Sequence, residues 1–162
     1  AVFTNTLPNN VESAVVKGCE LAAQHTFQSG FGLLANATLV DSNAELDPSD
    51  ITQVFALTGL SDSLNLVAFY ENGPLEARIA YNWRDRFLQS FTQSNGDGVT
   101  IVEEYYQVDA SASYEIIKNL TLFVEGINLT EEYIHKRGRF VNQLLLAEDS
   151  GRRYGFGIRG SF

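Results

Sequence analysis

The sequence predicts an all-β fold, an antiparallel up-and-down meander of about seven strands that forms part of a transmembrane β-barrel. Three observations carry that expectation. Apolar and polar residues alternate with period two over stretches of about 9 to 14 residues, a length that suits a tilted bilayer crossing. The connections between those stretches run short, long, short, long, short, long. Short turns at one membrane face and long loops at the other are how outer-membrane barrels are laid out. Aromatic residues also gather at both ends of the apolar faces, with aliphatic residues between them.

Taken in order, residues 1 to about 13 carry Pro8, Asn9 and Asn10 and read as a loop running into a strand. Over 14–27, Val15, Cys19, Leu21, Ala23 and Phe27 oppose Gly18, Glu20, Gln24 and Thr26. Gln28-Ser29-Gly30 is a tight turn. The strand 31–41 returns with Phe31, Leu33, Ala35, Ala37 and Leu39 on one face, although Leu34 and Val40 interrupt the polar one. A long connection, 42–61, holds Glu45, Asp47, Pro48 and Asp50. Leu64, Leu66, Ala68 and Tyr70 mark the third strand, and Glu71-Asn72-Gly73-Pro74 turns the chain. In the fourth strand, Leu75, Ala77, Ile79, Tyr81 and Trp83 face away from Glu76, Arg78, Asn82 and Arg84.

A second long connection covers about 85–103 and includes Asn95-Gly96-Asp97-Gly98. The fifth strand alternates most cleanly. Tyr106, Val108, Ala110, Ala112, Tyr114 and Ile116 oppose Gln107, Asp109, Ser111, Ser113 and Glu115. Lys118-Asn119 is a two-residue turn into Leu120, Leu122 and Val124, and Asn128-Leu129-Thr130 opens a third long loop over 129–150. In the last strand, 151–162, Tyr154, Phe156, Ile158, Gly160 and Phe162 oppose Arg153, Gly155, Gly157, Arg159 and Ser161.

With the short turns on the inner side, Phe27, Phe31, Tyr70, Tyr114 and Phe162 lie near inner strand ends. Tyr81, Trp83, Tyr106 and Tyr154 then lie near outer ends. Two aromatic girdles around an aliphatic band are what lipid interfaces select. The alternative is a soluble β-sandwich serving as a binding or adhesion module. A sandwich has many alternating strands, but its connections have no reason to sort by length.

Composition narrows the functional classes. Twenty acidic against eleven basic residues give a net charge of −9, which argues against nucleic acid as a partner. The single Cys19 permits no internal disulfide, and with only His25 and His135 there is little for metal or nucleophilic chemistry. No catalytic, cofactor or metal site is predicted. The absence of methionine and of a signal-like start points to a mature or excised piece.

Several local patterns have bland explanations. Asp41, Asn43, Glu45 and Asp47 have the rhythm of a calcium loop, but Leu46 and Thr52 stand where its Gly and Glu belong, so a solvated acidic loop is expected. Asn36-Ala37-Thr38, Asn119-Leu120-Thr121 and Asn128-Leu129-Thr130 match the glycosylation triplet by chance. His25 reads as interfacial packing. Arg78, Arg84, Arg153 and Arg159, with Glu76, Asp109, Glu115 and Glu125, are expected to form hydrogen-bond ladders on the polar face. His135, Lys136, Arg137 and Arg139 make a basic patch that meets an anionic ligand or pairs with neighbouring acids.

Certain stretches resemble the C-terminal barrel segment of TonB-dependent outer-membrane receptors. They are Gly18-Cys19-Glu20-Leu21, Gly59-Leu60-Ser61, Tyr70-Glu71-Asn72-Gly73-Pro74 and Ala77-Arg78-Ile79-Ala80-Tyr81-Asn82-Trp83-Arg84. Further on come Glu125-Gly126-Ile127-Asn128-Leu129-Thr130-Glu131-Glu132 and Gly151-Arg152-Arg153-Tyr154 leading to Phe162. The resemblance implies that residues 1–162 are the last seven strands of a barrel of about 22, with the plug and upstream strands absent. It implies a bacterial outer-membrane location, with lipid around the barrel and the TonB energy-coupling complex acting through the missing N-terminal part. It implies a scarce small-molecule nutrient as ligand, carbohydrate in preference to siderophore. Ligand contacts are expected at Arg84, Phe87, Tyr133 and Arg139. Tyr154, Phe156, Ile158 and Phe162 are expected to be read by the barrel-assembly machinery.

Overall fold

The structure is a computed structural model, and it describes residues 13–91 and 98–160. Eleven strands are present among them: β1 (Val16–Thr26), β2 (Phe31–Ser42), β3 (Ser63–Asn72), β4 (Leu75–Arg84), β5 (Phe87–Phe91), β6 (Val99–Val102), β7 (Tyr105–Ile117), β8 (Leu120–Ile127), β9 (Tyr133–Arg137), β10 (Leu144–Asp149) and β11 (Arg153–Gly160). Seven of them pair antiparallel in the order β1-β2-β3-β4-β7-β8-β11, which is the predicted meander. They form one sheet, not two packed layers, so the sandwich alternative falls.

Register carries the predicted faces unbroken across this sheet. Leu33, Ala68, Ile79, Ala110, Gly126 and Tyr154 are successive cross-strand partners on one face. Asn36, Asn65, Asn82 and Gln107 are successive partners on the other. Because side chains alternate strictly, a slip of one residue would invert every strand beyond it. The apolar face is bare: Phe156 is 89% exposed, and Leu21, Leu33, Ile79 and Val124 are all more than half or half exposed. The three short turns each place a residue in the left-handed region, Gly30 (φ 90°), Gly73 (φ 58°) and Asn119 (φ 69°). These are residue types that tolerate it.

On the opposite face large side chains lie flat over glycines of the adjoining strand. The Phe69 ring covers Gly32, where a Cβ would meet its Cζ at 2.0 Å. Phe123 covers Gly157 and the Glu125 side chain covers Gly155. The bare positions of the final strand therefore make room for β8. The expected charged ladders are different in kind. Asn65 Nδ2 donates to Asn82 Oδ1, Gln107 Nε2 to Asp109 Oδ1 (2.6 Å), and Ser113 Oγ to Glu76 Oε2 (3.2 Å). Both ion pairs among the described residues, Arg137–Glu103 and Arg152–Glu131, lie outside this wall. Short amide and hydroxyl side chains on neighbouring positions meet directly instead.

Two of the three expected loops are corrected. The connections 85–103 and 129–150 contain the hairpins β5–β6 and β9–β10, joined through β6–β9 into a second sheet of order β5-β6-β9-β10. That order repeats the lower order β4-β7-β8-β11 strand for strand. Each upper strand thus continues one wall strand beyond a short break, and the upper sheet extends the wall. The hydrophobic core sits here: Ala56, Leu88, Val99 and Ile101 are buried, with Leu46 and Phe91 packed against them. Phe91, in the second connection, is thus half-buried against this core.

Asn128 controls the break between β8 and β9. It is fully buried with φ 55°. Its Oδ1 accepts from the Glu132 N–H (2.9 Å), and its Nδ2 donates to the carbonyls of Glu132 (3.1 Å) and Gly151 (3.3 Å). Its own N–H donates to Asp109 Oδ1 at 2.9 Å, while Leu129 N–H continues the ladder to the Val108 carbonyl at 2.8 Å. One side chain thus ties the exit of β8, the start of β9 and the entry to β11. This left-handed residue also ends β8 after eight residues, shorter than the 9 to 14 expected.

The faces can be tested at one height on one strand. Ala110→Arg, on the apolar face, should cost about 2–4 kcal/mol and lower the folded protein recovered from membranes. Ser111→Arg, next to it on the opposite face, should be recovered near wild-type level. The reverse ranking would place the lipid on the wrong side of the sheet.

Removal of the buried amide gives a second test. Asn128→Ala should cost about 1–3 kcal/mol, because it strands the Glu132 N–H and two carbonyls. Asn128→Asp keeps the acceptor and should retain part of the protection of the Glu132 amide in hydrogen exchange. Equal protection in wild type and both variants would remove Asn128 from this role.

Candidate functional site

All three long connections emerge at the same end of the seven-stranded sheet, opposite the short turns. Three arginines bind them to one another. Arg84, the last residue of β4, donates through Nε to Ser61 Oγ (3.2 Å) and through Nη2 to the Gly59 carbonyl (3.1 Å). Its guanidinium lies 3.8 Å from the centre of the Phe87 ring. Ser61 Oγ in turn donates to the carbonyls of Asp62 and Asp85, both at 2.9 Å.

Arg137 at the end of β9 is buried, ion-paired with Glu103, and donates to the carbonyls of Gly138 (3.1 Å) and Arg139 (3.2 Å). Arg139 donates to the carbonyls of Asp47 (3.0 Å) and Asp50 (2.8 Å), fastening the third connection to the first. Gly59 N–H also donates to the Leu88 carbonyl at 2.8 Å. A buried guanidinium needs its charge and donors satisfied, and carbonyl clusters with one carboxylate do so.

The acidic turn at 47–52 is shaped by its own side chains. Asp47 Oδ1 accepts from the Ser49 N–H (2.8 Å) and hydroxyl (2.6 Å). Asp50 Oδ1 does the same with Thr52, at 2.9 and 2.6 Å. Those hydrogen bonds hold both carboxyls below their ordinary titration range, with Ser49 the leading cause for Asp47 and Thr52 for Asp50. The turn bonds are present above that range and are lost only as pH falls through the lowered values. Among the described residues, no group of three or more His, Cys, Asp or Glu side chains is placed to hold a metal ion.

Between these connections lies a cleft of about 480 Å³. Val40 and Ser42, on the polar face of β2, line it together with Leu88, Ile101 and Arg137 of the upper sheet. It therefore opens on the polar side of the wall. Asp62, Asp85 and Arg86 rim it, and Phe87, Leu57 and Leu60 supply apolar surface. Asp62 Oδ1 accepts from Val40 N–H (2.8 Å), and Asp85 Oδ1 accepts from Arg86 N–H (2.7 Å).

The four expected contact residues fall in different settings. Phe87 lines the cleft, and Arg84 supports it from behind. Arg139 faces the acidic turn. Tyr133 is exposed on β9, its ring 6.2 Å from that of His135 and nearly parallel to it. The basic patch is divided, because Arg137 and Arg139 are committed to Glu103 and to carbonyls. Asp62, Asp85 and Arg86 were not singled out by sequence, since Ser61-Asp62-Ser63 and Arg84-Asp85-Arg86 read as ordinary polar strand ends. Of the expected assembly residues, Tyr154, Phe156 and Ile158 are exposed on the apolar face, and Phe162 lies outside the described residues.

No curated protein and no solved structure matches the chain. The family model described as TonB dependent receptor-like, beta-barrel matches residues 1–129, a range that takes in β1 to β8. Among the described residues no helix is long and apolar enough to cross a membrane, and the strands carry the apolar face instead. The wall, its extended mouth and the family match agree, and the chain belongs to the TonB-dependent receptor β-barrel family, a family of outer-membrane transport receptors.

Proposed function

We propose that the chain is the C-terminal part of a receptor barrel whose extracellular mouth binds a carbohydrate for import. The single observation that carries this reading is the cleft on the polar side of the mouth, with Phe87 at its wall and Asp62, Asp85 and Arg86 at its rim. Sugar rings present apolar C–H faces that stack on aromatic rings, and hydroxyls that acids and guanidiniums bind. A net charge of −9, with Arg137 and Arg139 of the basic patch bonded to internal partners, favours that ligand over a strongly anionic ferric siderophore. In this reading the remaining strands close the barrel, a plug fills it, and the TonB energy-coupling complex acts through the plug side. Arg84 and Arg139 shape the binding surface, while Phe87 and Tyr133 touch the ligand.

Binding measurements on the full-length receptor test the assignment. Phe87→Ala and Tyr133→Ala should each remove one stacking surface, on the order of 1.4 kcal/mol or about tenfold in Kd for an oligosaccharide. Arg84→Ala should act through Phe87, so the double variant Arg84→Ala/Phe87→Ala should be little worse than Phe87→Ala alone. Surface abundance should not change. Unaltered sugar uptake in these variants, together with induction of the gene by iron starvation, would overturn the carbohydrate reading.

Assembly supplies a separate test. We infer that the alternating apolar residues of β11 and Phe162 are read by the barrel-assembly machinery. Phe156→Asp with Ile158→Asp, or Phe162→Ser, should leave the full-length receptor poorly represented in the outer membrane. Normal levels of both variants would show that β11 carries no such signal.

A further inference from the structure

β10 is the outermost strand of the upper sheet, paired with β9 on one side only among the described residues. All six of its residues are exposed, including Leu144 (66%), Leu145 (48%) and Leu146. Val141, in the turn before it, is 86% exposed. An edge of this kind, with no proline and no charge before Glu148, is a template for another strand.

The topology says which strand. The upper order β5-β6-β9-β10 repeats the lower order β4-β7-β8-β11, so β10 stands above β11 on the same side of the wall. Residues 150–152 alone separate them, and Gly151 (φ 60°) steers the chain from one to the other, its N–H held by Asp149 Oδ1 at 2.7 Å. Among the described residues β11 too is paired on one side only, with β8, so the open edge of β10 is the upward continuation of the open edge of β11. The junction β6–β9 is a working precedent. There, two hairpins from separate connections pair as the wall strands β7 and β8 pair beneath them.

We propose that the strand which closes the barrel against β11 continues past the lipid and pairs with β10, so that the barrel seam is zipped above the membrane as well as within it. The occupant is a segment of the same receptor, running antiparallel to β11 and therefore outward, and delivered to the β10 edge without a crossing connection. It offers backbone N–H and C=O groups to the edge and apolar side chains to the leucines. The proposal rests on the barrel reading.

The full-length receptor in outer membranes tests it, with a photo-reactive benzoylphenylalanine at Tyr154 in one variant and at Leu145 in another. Leu144 serves as the probe position if the Leu145 variant does not assemble, as judged by heat-modifiable mobility. The expected result is that both probes crosslink to one and the same strand of the same polypeptide, the β10 probe further along it toward the outer side. Crosslinking of the Tyr154 probe within the receptor, with the β10 probe captured by a second copy, by another protein or by nothing, would overturn the zipped seam and leave the barrel intact. Failure of the Tyr154 probe to find any strand of its own polypeptide would overturn the barrel reading itself.

Discussion

A peptide group placed in hydrocarbon has no water to bond, and leaving one unpaired costs several kcal/mol. Most features of this chain answer that constraint. Wall strands pair with neighbours in a continuous ladder, β1 through β11, so each interior strand has both edges satisfied. The turns at one end are short, and Gly30, Gly73 and Asn119 make the reversals sterically possible. Side-chain parity follows from the same ladder. Once register is set, one face must be apolar for its entire width, as Leu33, Ala68, Ile79, Ala110 and Tyr154 are.

The wall and the mouth are built on different physics. The wall buries almost no hydrophobic side chain against protein, because lipid is to take that surface, at roughly 25 cal/mol per Å² removed from water. Its polar face is kept smooth by laying Phe69, Phe123 and Glu125 over glycines. Above the membrane the solvent is water again, and the chain reverts to a core of Leu88, Val99, Ile101 and Ala56. The first connection supplies Ala56 and Leu46 to that core. It is thereby folded against the upper sheet, not left loose over the mouth.

The seven wall strands were legible because lipid on one side and water on the other enforce period two along their whole length. The upper strands obey no such rule. Phe87-Leu88-Gln89-Ser90-Phe91 loses its alternation at a register shift between Leu88 and Ser90, and Leu144-Leu145-Leu146 is apolar on both faces beside another shift. β6 has four residues, too few for a period to show. The site was legible in the same uneven way. Phe87 could be found as an aromatic in a long connection, but Asp62, Asp85 and Arg86 become a rim only because β3 and β4 place residues 62 and 85 side by side, where Asp85 N–H meets the Asp62 carbonyl at 3.0 Å. The stretch Asn128-Leu129-Thr130-Glu131-Glu132 was visible as a family-like motif. Its purpose was not, since the partners Asp109 and Gly151 are remote in sequence.

The arginines change meaning when the connections are seen together. Cations near a mouth suggest attraction for an anion, yet Arg84, Arg137 and Arg139 each bond backbone carbonyls of the connections, and each joins segments far apart in the chain. Arg139 reaches across 92 residues to Asp47, and Arg137 across 34 to Glu103. With the Gly59–Leu88 and Glu103–His135 backbone bonds, they tie the three connections to one another. Phe87 stacks on Arg84, which holds the Gly59 turn, and Leu88 beside it belongs to the core that the first connection shares with the upper sheet. Through the chain the strands of the upper sheet run directly into β4, β7, β8 and β11, so the ties among the connections and the ladder of the wall belong to one framework.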